Sequence, residues 1–367
     1  MLEAVLREIR HRQPSAVVSI PEGMCRRNVP WCNRNNIVPL YRTDGCRRFV
    51  RAWIAIIRSR LYKSPQPMIP SEVDLLLDAS GFRYSDQFGE RTDKMNRDEL
   101  SYYRSFRCKS RKIVLLPQAF GPFTDASQRK RLLGEFVYFD RVYVRDAASW
   151  RYVVELISPS GKLKRGKDFT CLLECESKFH DIKNRYAVVI VNKKMVDATD
   201  CSVSTNYLDF MLAIIEHIIG LQMSVVLLNH GGIKDAAMND YLAGKFRRVV
   251  SVINDASAKE CKRIIGGADM LVSSRFHGAV SGLVQGVPTL CTSWSHKYEE
   301  LFGDFGLTKN CLRVTEIEAS LAKIDDVLSN PCAYSASKEA IRQYHDDAIE
   351  MWNEIFSMVA KEKGVGV

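Results

Sequence analysis

The chain has 367 residues, 46% of them hydrophobic, and 53 Lys plus Arg against 43 Asp plus Glu, a formal net charge of +10. That length sets a prior of about two domains, and the composition excludes collagen-like, low-complexity and wholly disordered chains. No stretch reaches the ~18 consecutive apolar residues of a spanning helix, and the opening MLEAVLREIRHRQP lacks the apolar centre of a secretory signal, so a cytoplasmic location is expected.

Leu2, Val5, Leu6 and Ile9 share one face and predict a helix over 2–12. Residues 16–20 read as a short strand. Across 44–62, apolar positions 49, 50, 53, 54, 57 and 61 recur at helical spacing, interleaved with Arg47, Arg48, Arg51, Arg58 and Arg60. The first 70 residues hold 13 basic and 4 acidic side chains, so the charge is concentrated there. A basic amphipathic helix carrying Trp53 has two readings. Either it makes a peripheral contact with an anionic (inner) membrane, or it turns its apolar face into a core and leaves the arginines solvated. No nucleic-acid module or stacking pattern accompanies the arginines, so nucleic acid is not an expected partner.

The run 73–77 predicts a buried strand closed by Asp78-Ala79-Ser80-Gly81. A helix is expected over 97–107, a strand over 112–116 closed by Pro117-Gln118 and Gly121-Pro122, and a helix over 126–138. Strand Arg141–Val144 follows, and Arg145-Asp146 opens a helix reaching Leu156. Residues 157–184 are polar, with Ser158-Pro159-Ser160-Gly161, and read as a domain boundary. A second alternating set follows: strands at 186–191, 224–228, 270–273 and 288–291, with helices at 207–220, 257–266 and 278–285. A long helix runs over 337–361. This rhythm predicts an α/β fold of two doubly wound parallel sheets, over 1–160 and 184–335, with a C-terminal helix at 336–367.

In open α/β sheets ligands bind beyond the carboxyl ends of strands, so the residues there are the candidates. Ser273-Ser274-Arg275-Phe276-His277-Gly278 joins a strand to a helix. The helix start offers N–H groups and a positive dipole end, Arg275 a fork of donors for carboxylate or phosphate, and His277 a proton near neutral pH. The plainer reading pairs Arg275 with an internal carboxylate and makes His277 a cap. Arg145 is a second anion candidate or a surface arginine beside an Asp146 cap. Asp78, Ser80 and Asp86 are candidates for sugar hydroxyls, Gln118 for a ligand hydrogen bond, and His230, before two glycines, for a cleft loop. The 11 cysteines are scattered; Cys171 and Cys175 have no second close pair, so neither a disulfide framework nor a zinc site is expected. Phosphate-loop, dinucleotide and zincin motifs are absent.

Three stretches carry a family resemblance: Val142-Tyr143-Val144-Arg145-Asp146 with Ser149, Pro117-Gln118-Ala119-Phe120-Gly121-Pro122, and the block SSRFHGAVSGLVQGVPTLCTSWSHKYEELFGDFGL over 273–307. Together they resemble the polysaccharide pyruvyl transferase family over roughly 1–310. The resemblance implies a GT-B-like pair of Rossmann-like domains facing across a cleft. It implies transfer of pyruvate from phosphoenolpyruvate to two sugar hydroxyls of a surface polysaccharide or its precursor, as a cyclic ketal. It ties Arg145, Arg275, Phe276 and His277 to phosphoenolpyruvate, with His277 as general acid and base. Ser274 and Lys297 join the expected substrate-binding set. No metal or cofactor is implied beyond the donor, and the acceptor is a glycan or lipid-linked oligosaccharide.

Family members open with a strand and an Asn-x-Gly-Asp loop, whereas this chain reads directly as the following helix; the first strand is therefore expected to be missing. Two other functions share the pattern: a GT-B glycosyltransferase using a nucleotide sugar, for which no E-x7-E pair follows the ends of the second-domain strands, and a non-catalytic glycan-binding relative.

Overall fold

A computed structural model describes residues 1–43, 46–61, 66–86, 93–107, 111–158, 160–175, 185–246 and 250–362. Its strands are β1 (Val18–Pro21), β2 (Ile37–Leu40), β3 (Leu75–Asp78), β4 (Lys112–Gln118), β5 (Arg141–Val144), β6 (Leu163–Arg165), β7 (Tyr186–Ile190), β8 (Ser224–Leu228), β9 (Val250–Ile253), β10 (Met270–Ser273), β11 (Thr289–Thr292) and β12 (Cys311–Leu312). All pairings between them are parallel, in sheets ordered β1-β2, β3-β4-β5-β6 and β12-β11-β10-β7-β8-β9. Parallel strands need crossovers, which the intervening helices supply, and helices on both faces bury strands such as Tyr186–Ile190 along their whole length.

The chain divides into two units. The first comprises Met1–Arg145, Ser149–Gly166 and Glu350–Val367; the second comprises Asp146–Ala148 and Lys167–Ile349. In the first, the four-stranded sheet packs Ile113, Leu115, Val142 and Val144 against Tyr103, Phe106, Leu132 and Phe139. The strand near residue 16 does not extend that sheet; β1 pairs with β2 over a small separate core of Leu6, Ile20, Cys32 and Ile37. β2 escaped the sequence reading because Ile37-Val38-Pro39-Leu40 is short and carries a proline, which is disfavoured within a sheet. β3 forms one edge of the four-stranded sheet among the described residues.

Two further elements lie inside the polar 157–184 stretch: β6, and a 3-10 helix at Phe169–Leu172 whose four residues are all buried. Among the described residues there, Lys164 and Arg165 are exposed while the polar Asp168 and Thr170 are buried beside Phe169, Cys171 and Leu172. The terminal helix Lys338–Glu362 contributes its last turns to the first unit, where Glu354 accepts a hydrogen bond from Tyr143 Oη at 2.8 Å and pairs with Arg141 at 2.7 Å.

Helix Cys46–Leu61 corrects one reading. Ala52, Ile56 and Ser59 face inward, while Trp53, Ile54 and Ile57 are exposed rather than in the core. No helix among the described residues is long and apolar enough to cross a membrane.

In the second unit the six-stranded order places the first strand, β7, between β8 and β10. The chain winds outward from β7 in both directions, so the β7–β10 junction is the topological switch point where open α/β sheets bind ligands.

Candidate active site

The groups that converge at this junction come from the carboxyl ends of β7, β8 and β10. After β10, Arg275 stays extended (φ −111°, ψ 129°) and helix Phe276–Leu283 begins two residues earlier than the sequence predicted, with no side chain capping it. His277 therefore sits in the first turn. Close packing enables this. A Cβ at Gly278 would meet Ser273 Oγ at 2.7 Å and Ile190 Cδ1 at 2.8 Å, so the helix seats directly on the strands only because that position is glycine.

Arg275 donates from Nε to Asp235 Oδ2 at 2.6 Å, with Nη2 2.5 Å from the same oxygen. Asp235 is buried, and its other oxygen accepts the Lys193 N–H at 3.0 Å. The internal-carboxylate reading of Arg275 thus holds, but one edge of the guanidinium serves a single oxygen, and 28% of the side chain stays exposed. The pair also explains Gly231. A Cβ there would collide with Asp235 Oδ2, Arg275 Nη2 and Arg275 Cζ, so the Gly231-Gly232 loop, held by Asn229 Oδ1 accepting both N–H groups, is shaped around it.

His277 Nε2 lies 3.4 Å from Oδ2 of the buried Asp168. The second Asp168 oxygen accepts from Thr170 N–H at 3.0 Å and from the Thr170 hydroxyl, and Asp168 N–H donates to Tyr344 Oη at 3.2 Å. A fixed carboxylate at that distance orients the imidazole and offsets its charge when protonated. His230, half-buried, has its pKa pushed down to about 4, first by burial and then by the neighbouring charges of His277 and Arg275. Arg275 is thus the fixed cation of the site, His230 is held neutral, and the uncapped helix start adds a positive dipole end that would favour a bound anion.

The other candidates fall out differently. Phe276 is buried and packs edge-on against His277 and Tyr298, supporting the site rather than displaying a face. Ser274 is corrected to a core role. It is fully buried, and its hydroxyl lies 2.7 Å from both Tyr207 Oη and Thr292 Oγ1. Lys297 is buried with Nζ 3.9 Å from the Trp294 ring centroid, so its charge rests on aromatic faces.

In the first unit, Arg145 is buried at the carboxyl end of β5, its N–H donating to Gln118 O at 3.0 Å. Gln118 is buried, its Oε1 accepts the Arg83 N–H at 3.1 Å, and its Nε2 has no partner among the described residues. Asp78, Ser80 and Asp86, expected at sugar hydroxyls, hold their own loops in this structure. Asp78 accepts from Ser80 N–H and hydroxyl, from Arg83 Nη1 at 2.9 Å and from Tyr103 Oη. Asp86 takes Thr124 N–H at 2.7 Å and its hydroxyl at 2.6 Å.

Sequence reasoning missed Asp168 and Asp235. Each is remote in sequence from the residue it serves, and no spacing rule links them. Among the described residues no cluster of three or more His, Cys, Asp or Glu could hold a metal ion.

A family model described as polysaccharide pyruvyl transferase matches residues 2–296. No curated protein sequence matches the chain. Several solved structures share the fold. Anabaena Alr3699/HepE, solved in complex with UDP-glucose, is 10% identical at a TM-score of 0.59, covering 98% of this chain and 95% of its own. The UDP-GlcNAc 2-epimerase from Neisseria meningitidis, bound to UDP-GlcNAc, is 10% identical at 0.55, covering 97% and 96%. The enzyme of that name from Methanocaldococcus jannaschii is 9% identical at 0.53, covering 96% of each chain. At such identities the likeness establishes a GT-B-like pair of Rossmann-like domains.

Proposed function

Because the chain belongs to the polysaccharide pyruvyl transferase family, we propose that it transfers the pyruvyl group of phosphoenolpyruvate to two hydroxyls of one sugar, forming a ketal and releasing phosphate. The observation that carries this reading is the convergence of Arg275, His277 and His230 at the uncapped start of helix Phe276–Leu283. The outward donors of Arg275 and the first N–H groups of that helix suit the oxygens of a small anion.

Arg275, held from behind by Asp235, offers its outer donors to an acidic oxygen of the donor. His277, oriented by Asp168, gives a proton to the methylene carbon, and C2 becomes electrophilic. One sugar hydroxyl adds to C2 and returns its proton to His277; the C2–O bond to phosphate then breaks, and the second hydroxyl closes the ketal. Of the two hydroxyl protons, one replaces that spent on the methyl group and one leaves with phosphate. Arg145 is included in this proposal as a second donor-binding arginine, as the family resemblance implies.

The test is phosphate release from phosphoenolpyruvate with and without a panel of acceptor glycans, with a UDP-sugar in a parallel arm. Acceptor-dependent release is expected, lowered about 10²–10⁴-fold in His277→Gln and abolished in Arg275→Ala and Arg145→Ala. Turnover of the UDP-sugar with phosphoenolpyruvate inert would establish a glycosyltransferase instead.

A further inference from the structure

Helix Cys46–Leu61 holds a narrow inward strip of Ala52, Ile56 and Ser59. On the outward arc, Phe49, Val50, Trp53, Ile54 and Ile57 are about half exposed and Leu61 is 73% exposed. At 3.6 residues per turn these six positions share one arc, with the Phe49 and Trp53 rings 6.1 Å apart on it and the exposed Arg60 falling on the same arc in the last turn. A single exposed leucine is ordinary on a soluble surface, but a contiguous aromatic and aliphatic face marks an interaction site.

The helix sequence CRRFVRAWIAIIRSRL contains five arginines and no carboxylate. Arg47, Arg51 and Arg58 are exposed along one border of the apolar face. Arg51 touches Glu22 at 3.1 Å and Arg48 touches Asp98 at 3.7 Å, so counter-charges come from outside the helix.

We infer that this face lies in the plane of an anionic membrane surface, with Trp53, Phe49 and Ile57 at the headgroup level and the arginines on lipid phosphates. Charge selects that occupant. A second copy of the chain would bring the same arginine-only helix against this one, and like charges would oppose the docking. An anionic leaflet supplies phosphates at the border and an acyl boundary beneath the rings, the setting amphipathic helices with basic polar faces and Trp occupy.

The experiment is co-sedimentation of the full chain with vesicles of phosphatidylcholine alone or mixed with phosphatidylglycerol. Binding to the mixed vesicles only is expected, released at 1 M salt, where screening acts within roughly 3 Å rather than 10 Å. The triple variant Phe49→Ser, Trp53→Ser, Ile57→Ser should lose binding. Arg47→Gln, Arg51→Gln, Arg58→Gln should weaken it about 10²-fold, at roughly fivefold for each arginine near the leaflet. These side chains are exposed, so both variants should melt close to the parent. Equal binding to both vesicle types, no binding, or unchanged binding by either variant overturns the inference. So does a concentration-dependent dimer that the serine variant dissolves. Binding is read without substrate, so its failure is separable from failure of the pyruvyl-transfer reading.

Discussion

Gly231→Ala probes whether Arg275 acts through its exact seating. The added methyl would stand closer than 2.5 Å to Asp235 Oδ2, Arg275 Nη2 and Arg275 Cζ. Ordinary contact is about 3.5 Å, so the pair must yield by about 1 Å. Every colliding atom is the far end of a side chain, so the loop and helix Ile233–Ala243 can stay in place while the guanidinium moves. A misplacement of about 1 Å in a positioning group costs on the order of 10²-fold, or about 2.7 kcal/mol at 1.36 kcal/mol per decade. Because Arg275 is assigned to donor binding, the loss should fall on KM for phosphoenolpyruvate more than on kcat. Steady-state phosphate release gives both, and direct binding of phosphoenolpyruvate gives the affinity without turnover. A folded Gly231→Ala protein with parental kcat/KM and affinity would refute the argument, since the methyl cannot be accommodated without displacing the pair.

Asp168→Asn removes the charge facing His277 while keeping an oxygen for the Thr170 cap; kcat should fall on the order of 10–10²-fold with little change in KM, and Asp168→Glu should restore part of it. An equal fall in melting temperature for both variants, with kcat unchanged, would make Asp168 merely structural. His230 carries a pH signature. Its folded pKa of about 4 lies below the ordinary 6.5, so between those values the unfolded chain binds a proton that the native one does not. Stability should therefore fall as pH drops through that window, and less steeply in His230→Gln. Thermal melts from pH 7 to 4.5 check this, and identical slopes for both proteins would remove His230 from the account. Inorganic phosphate should flatten the parental slope, because a bound anion offsets the neighbouring positive charges.

Much of the architecture was legible in the chain. Uninterrupted apolar runs such as 186–190 and 224–228 fix buried parallel strands because covered faces leave no polar alternation. The R-x-H block after β10 was legible as a candidate site because a helix start at a strand end presents unpaired N–H groups, and the structure does place that helix start at the end of β10. Short or polar elements were not legible: β2, β6 and the 3-10 helix at Phe169–Leu172 draw their burial from neighbours rather than from their own pattern. The outward face of helix Cys46–Leu61 was equally undetermined, because helical periodicity shows that two faces differ and only packing decides which one meets solvent. Tertiary structure alone supplied Asp235 behind Arg275 and Asp168 behind His277. It also turned Ser274 inward and spent Asp78 on its own loop. A side chain's type states what chemistry it can do; which partners consume that chemistry depends on contacts between residues remote in the sequence.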